Sequence, residues 1–190
     1  MEIPMKSRWL LLGVMVIGVI LMAGQACDQN GGDDKGKIFT LTSPAFQDGG
    51  ELPVDYTCDG AGYSPPLQWA GQPKATVEFA LMMTTIAKDG EKWNWVLYDI
   101  PSDVPALAEN SSGVGINGLS SDGPELVYYP PCSQGPGPKT YTFTIHALSQ
   151  KPVITVPADH VSGAVLTSAI SQITLASSQI NVSYTRPVTQ

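Results

Sequence analysis

Residues 128–148 read YYPPCSQGPGPKTYTFTIHAL, a loop crowded with proline and glycine that runs directly into an alternating segment. From Tyr141 onward, Tyr141, Phe143, Ile145 and Ala147 fall on one face and Thr142, Thr144, His146 and Leu148 on the other, the two-residue period of a sheet strand. Pro130, Pro131, Pro136 and Pro138 fix φ and remove amide donors, while Gly135 and Gly137 allow backbone conformations closed to other residues. Covalent constraint therefore shapes this loop, and loops held that way commonly form the wall of a site.

The same period recurs outward from this strand. Phe39-Thr40-Leu41-Thr42 and Leu67-Gln68-Trp69 alternate briefly, and Ile180, Val182 and Tyr184 alternate near the C-terminus. Val77, Phe79, Leu81 and Met83 interleave with Glu78, Ala80, Met82 and Thr84, a strand apolar on most positions and so expected at the centre of a sheet, with Met82 and Met83 as core filler. Trp93, Trp95 and Leu97 stand opposite Asn94, Val96 and Tyr98, and Pro101 ends that strand. Residues 106–123, rich in Ser, Gly and Asn, read as a surface loop. Asp159 is expected to cap a helix carrying Val161, Val165, Ala169, Ile170 and Ile173. Strands, one helix and many turns predict a mainly antiparallel β fold.

The 190 residues support one domain, and 43% hydrophobic content is enough for a core. A formal charge of −7 argues against nucleic acid as a partner. At the N-terminus, Lys6 and Arg8 precede an apolar run from Trp9 to Gly24, short of the about 20 residues a spanning helix needs, so residues 1–26 read as an export signal. Ala26-Cys27 points to lipoprotein processing, with Cys27 the lipidated first residue of the mature chain and the link to a membrane. Ordinary cleavage after Ala26 and an uncleaved anchor are the alternatives, since Gly24 stands where such signals usually carry leucine. Residues 27–37 are then a flexible tether and residues 38–190 the folded domain. If Cys27 is lipidated, Cys58 and Cys132 remain the only pair and can form a disulfide in an oxidising compartment.

Four segments in order carry a family resemblance: FTLTSPAF, LP and YTCDGAGYSPPLQW within residues 39–69, then VEFALMM, then NWVLYDIP, then the proline-cysteine loop with its strand. Over residues 39–186 the chain resembles the phosphatidylethanolamine-binding protein family, in its bacterial branch similar to Raf kinase inhibitor proteins. The resemblance implies an antiparallel β-sandwich, a large central sheet packed on a smaller one with a C-terminal helix, and a small pocket for phosphate or phospholipid headgroups. In the family that pocket is built from an Asp-Pro-Asp segment, a histidine before the tryptophan of HWV, and a His-Arg-Tyr run. Here these positions hold Thr85, Ile86 and Ala87, then Asn94 beside the retained Trp95, then Lys139, Thr140 and Tyr141. The scaffold is kept and the polar lining replaced.

The expected ligand-binding residues are therefore Thr85, Asn94, Trp95, Pro131, Lys139 and Tyr141, around a small anion or headgroup, with no cofactor, no metal and no catalytic residue. Lys139 beside the Gly135–Gly137 backbone either attracts that anion or is a solvated surface lysine, and Tyr141 is either wall or core. Asp59 is expected to be a turn-former bonding nearby amides, with a site residue as the alternative. His146 and His160 have no nucleophile beside them in sequence, and no GxSxG, HExxH, CxxC or P-loop pattern is present. A non-catalytic exported binding protein is the leading expectation. An interaction or inhibitor module, acting on an envelope protein through residues 106–123 and the proline-rich loop, is the second, and an enzyme with an unrecognised site the third.

Overall fold

Six consecutive residues at the start of β4 (Glu78–Ala87) are buried without a break, which requires cover on both faces of its sheet. β8 (Lys139–Leu148) and β5 (Gly90–Pro101) flank β4, both antiparallel to it, so that Met83 stands opposite Phe143 on one side and Trp95 on the other. Beyond β8 lies β9 (Thr174–Tyr184), then the short β2 (Gly50–Glu51); beyond β5 lies β7 (Ile116–Asn117). The large sheet thus has the order β2-β9-β8-β4-β5-β7. A smaller sheet is formed by β1 (Thr40–Thr42), β3 (Leu67–Ala70) and β6 (Ala106–Leu107), in the order β1-β3-β6. The chain is seen in a computed structural model that describes residues 37–187; the expected export signal, Cys27 and all but the last residue of the tether lie outside the described residues.

One face of the large sheet presents Phe79, Leu81, Met83, Phe143 and Ile145 to Phe39, Leu41 and Trp69 of the small-sheet layer. Phe79 meets Trp69 edge-on with centroids 5.4 Å apart. The other face presents Ala80, Met82, Val96 and Leu148 to Val161, Leu166 and Ile170, the last two on α1 (Gly163–Ile170). Each large apolar side chain so buried stabilises the fold by about 1.5–3 kcal/mol, and β4 contributes to both cores. At Gly118 the backbone after β7 passes so close to Val96 and the Val161 carbonyl that a Cβ there would collide with both.

The sheets are mainly antiparallel, as expected, the exception being β2, which pairs parallel to the edge of β9. Two local expectations are corrected. Residues 106–123 are not one loop: β6 closes the small sheet and β7 the large one, tying both layers together. The helix is capped by Ser162, whose hydroxyl accepts from the Val165 amide at 3.4 Å, whereas Asp159 sits in a preceding 3₁₀ turn (Ala158–His160) with its carboxylate 2.9 Å from the His160 ring. Serine is as good a cap as aspartate, and only Ser162 stands at the junction of extended and helical backbone.

Cys58 and Cys132 are joined in a disulfide with Cα atoms 5.3 Å apart. The Cys58 amide also donates to the Pro131 carbonyl at 3.1 Å, so residues 56–69 and the proline-rich loop are tied by a covalent bond and a hydrogen bond at one place. Asp59 lies in a turn, but its carboxylate accepts from the Tyr184 hydroxyl at 2.7 Å and from Arg186 Nε at 3.1 Å rather than from nearby amides. It links that turn to the end of β9. The Tyr184 hydrogen bond, opposed by desolvation and aided by Arg186, holds its pKa below the usual carboxylate range.

Candidate functional site

The ends of β4 and β8 and the start of β5 come together at one corner of the large sheet. Thr85 pairs with Tyr141 across β4 and β8, and with Lys92 across β4 and β5. The proline-rich loop returns over this corner, and a cleft of about 640 Å³ opens beneath it. Thr85, Asn94, Lys139 and Tyr141 line it, so four of the six expected residues are brought to one place.

The loop is fixed from three directions. Tyr128, at its head, is buried and donates its hydroxyl to the Tyr56 carbonyl at 2.7 Å. The disulfide holds Cys132, itself a lining residue. Gly137 takes a φ of +83°, the left-handed region that glycine enters without steric cost, and so turns the chain into β8.

Asn94 lines the cleft, although it is only 2% exposed. Its side-chain amide donates to Asp122 Oδ2 at 3.1 Å and to the Tyr129 carbonyl at 3.4 Å. Both partners are acceptors, which fixes the NH₂ toward them and leaves Oδ1 on the other side. That oxygen has no hydrogen-bond partner, a state that costs about 1–3 kcal/mol for a buried acceptor.

Charge in the cleft runs opposite to that of the chain. Lys88, Lys92 and Lys139 all line it, against Asp122 on the acidic side, whereas the molecule carries −7 overall. Lys92 is held by Asp89 at 2.7 Å, which lowers the Asp89 pKa. Tyr141 is buried, and burial, followed by the Asp122 and Tyr184 charges, pushes its pKa up to about 12. It is a neutral hydroxyl at any physiological pH, at once core residue and wall.

Trp95 and Pro131 do not line the cleft. Trp95 follows Asn94 along a strand and so faces the opposite side; it is 2% exposed, its indole donates to Asn117 Oδ1 at 2.9 Å, and its ring meets Tyr128 edge-on at 5.3 Å. Pro131 acts through its carbonyl on Cys58, while its neighbours Pro130 and Cys132 reach the cleft. Lys88, Lys92, Asp122 and Tyr129 are lining residues that the family pattern did not point to. Lys88 and Lys92 had a signal in the AKDGEK turn, which closes the β4–β5 hairpin and returns both lysines to the corner. Asp122 had none, since it arrives from the far end of residues 106–123.

Neither histidine lines the cleft. His146 lies mid-strand opposite Ala80 and Ser177, where burial drops its pKa to about 4, and His160 pairs with Asp159 on the surface. With three ammonium groups, a buried amide oxygen and a neutral phenol, the cleft can bind and orient an anion that also carries a hydrogen-bond donor.

Fold and site together define a two-sheet binding domain with a cation-rimmed cleft at one sheet corner. The sequence model described as phosphatidylethanolamine-binding protein matches residues 42–185, and the chain belongs to that family. A UPF0098 protein of Chlamydia pneumoniae is 36% identical over 114 residues, 57% of this chain and 75% of the relative. A Mycobacterium tuberculosis protein described as a candidate lipoprotein, LppC, is 31% identical over 112 residues, 58% of this chain and 55% of that one. Among solved structures, the Chlamydia trachomatis protein CT736, described as a candidate homologue of the phosphatidylethanolamine-binding protein, superposes with a TM-score of 0.72 at 26% identity. That match covers 80% of this chain and 99% of the other.

Proposed function

We propose that this chain is an exported, non-catalytic binding protein whose cleft receives a small phosphate-bearing molecule or phospholipid headgroup. The observation that carries the reading is the buried, unpartnered amide oxygen of Asn94, a residue that lines a cleft bordered by Lys88, Lys92 and Lys139. Lysines draw the phosphate, and the free oxygen accepts from a donor on the same ligand, so a phosphoethanolamine group matches both halves of the lining. The replaced Asp-Pro-Asp and histidine positions remove groups that exchange protons near neutrality, which favours binding over turnover.

Export and envelope attachment through a lipid on Cys27 are supported by the signal-like N-terminus and by the lipoprotein description of the mycobacterial relative. A disulfide between Cys58 and Cys132 suits the same oxidising compartment.

The test is thermal unfolding with inorganic phosphate and with phosphoethanolamine, since a ligand that binds only the native state raises Tm by mass action. Phosphoethanolamine is expected to raise Tm more than phosphate does, and Lys139→Ala to reduce both effects. No rise at millimolar ligand, or a rise that Lys139→Ala leaves unchanged, would rule the reading out.

A further inference from the structure

Glu78, the first residue of β4, is a carboxylate only 2% exposed in which neither oxygen has a hydrogen-bond partner. It alternates with Phe79 and so shares the helix-side face with Ala80 and Met82. At a rise of about 3.3 Å per residue it lies about 23 Å along the strand from Thr85, well away from the Asn94 cleft. A second cleft of about 310 Å³ reaches it, walled by Tyr98, Pro152, Ile154 and Val156, with Asp99 and Lys151 also in its lining.

The nearby cation does not satisfy the buried acid. Lys151 Nζ sits 2.7 Å from Asp99 Oδ1 but 3.9 Å from Glu78 Oε2, so Asp99 holds the ammonium beyond hydrogen-bond reach of Glu78. Burial, then the charge of the Asp99 carboxylate and a hydrogen bond to it that only the protonated acid can make, pushes the Glu78 pKa up to about 7, with Lys151 opposing. Near neutrality the site therefore exchanges a proton for whatever cation can reach it. A hard divalent ion needs more oxygen ligands than two carboxylates give, and among the described residues no group of three or more His, Cys, Asp or Glu side chains could hold a metal ion. An ammonium on an aliphatic stem matches both the carboxylate and the apolar walls.

We propose that this cleft binds a small primary alkylamine, whose ammonium donates to the Glu78 carboxylate and whose chain lies along Tyr98, Ile154 and Val156, with Lys151 as the internal competitor. The site is independent of the anion cleft and stands or falls without it.

The experiment is thermal unfolding of the full chain at pH 8.5 with n-butylamine, with tetramethylammonium and 1-butanol as controls at matched ionic strength. Butylamine is expected to raise Tm saturably; tetramethylammonium, which has no N–H donor, and butanol, which has no charge, are not. Glu78→Gln abolishes the rise, Lys151→Met makes half-saturation come at several-fold lower amine, and Lys139→Ala leaves it unchanged. A rise absent from the wild-type chain, equal with tetramethylammonium, or retained in Glu78→Gln overturns the proposal. Should Glu78→Gln not fold, Lys151→Met decides: half-saturation that stays put or moves to higher amine is the contrary result.

Discussion

Tyr129 and Asn94 are joined twice: the Tyr129 amide donates to the Asn94 carbonyl at 2.8 Å, and the Asn94 side chain returns a hydrogen bond to the Tyr129 carbonyl at 3.4 Å. The proline-rich loop is thereby laid along β5 as if it were a further strand, and the Asn94 side chain cannot turn without breaking its contact to Asp122. A flexible surface amide would choose its own orientation; this one is chosen for it. Asn94→Leu is accordingly expected to weaken phosphoethanolamine binding by about 5- to 50-fold, the worth of one hydrogen bond in a desolvated place. Binding of inorganic phosphate, which relies on the lysines, should fall much less. Titration calorimetry on the two ligands separates the two effects.

The three cleft lysines are not equal. Asp89 already holds Lys92, while neither Lys88 nor Lys139 has an ion-pair partner among the described residues. Lys88→Ala and Lys139→Ala should each weaken phosphate binding about 2- to 10-fold, and Lys92→Ala less. All three effects should shrink between 50 mM and 500 mM salt as screening removes the exposed part of the attraction. Equal losses for the three variants would mean that the Asp89 contact does not hold in solution.

Reduction of the disulfide is expected to cost about 4 kcal/mol, from the chain entropy of closing a loop across its 74-residue separation. Urea denaturation with and without reductant measures it. Because Cys132 lines the cleft, the reduced chain should also bind phosphoethanolamine more weakly under conditions where it is still folded.

Two titrating groups, buried Glu78 and half-buried His146, oppose one another in pH. Glu78 has its pKa raised from 4.5 to about 7, so its native state holds a proton that the unfolded chain has lost. Its contribution is fully present below 4.5 and disappears as pH rises through about 7, a loss of about 3 kcal/mol. His146 has its pKa lowered from 6.5 to about 4, so its contribution is present above 6.5 and disappears as pH falls through about 4, again about 3 kcal/mol. Between pH 4.5 and 6.5 the two slopes cancel, and wild-type stability is expected to be nearly flat. Glu78→Gln should expose the histidine slope, with stability climbing by about 3 kcal/mol across that window, and His146→Gln the reverse. Urea midpoints at four pH values between 4.5 and 7.5 read all three profiles.

Gly118 is fixed by a backbone carbonyl and a β-branched side chain rather than by the tip of a flexible one. Gly118→Ala should cost about 1–3 kcal/mol, the range for overpacking where neighbours cannot yield. A thermal scan showing no loss would mean that β7 moves away from Val161 at little cost.

The fold was legible because its outer strands alternate, its central strand is apolar on both faces, and the proline-cysteine loop keeps its order beside them. β4 read as central because most of its positions on both faces are apolar, and it contributes to both cores. The edges were not legible: β2, β6 and β7 are two residues each, too short to show a period, and are set by what they lie against. Part of the cleft was legible for the same reason, since Thr85, Asn94, Lys139 and Tyr141 sit on strands at positions the family pattern marks. Asp122 and the unpartnered Glu78 were not, because whether a carboxylate meets a donor depends on elements distant in sequence.

The central claim is that a cation-rimmed cleft beneath a stapled loop holds a zwitterionic phosphate ligand and does not transform it. Calorimetric titration of phosphoethanolamine into the full chain addresses it most directly, followed by recovery of the ligand after long incubation. One site per chain, affinity falling with salt and lost in the combined Asn94→Leu, Lys139→Ala variant, and ligand returned unaltered are predicted. Heat that persists in that variant, or inorganic phosphate released over the incubation, would contradict the account.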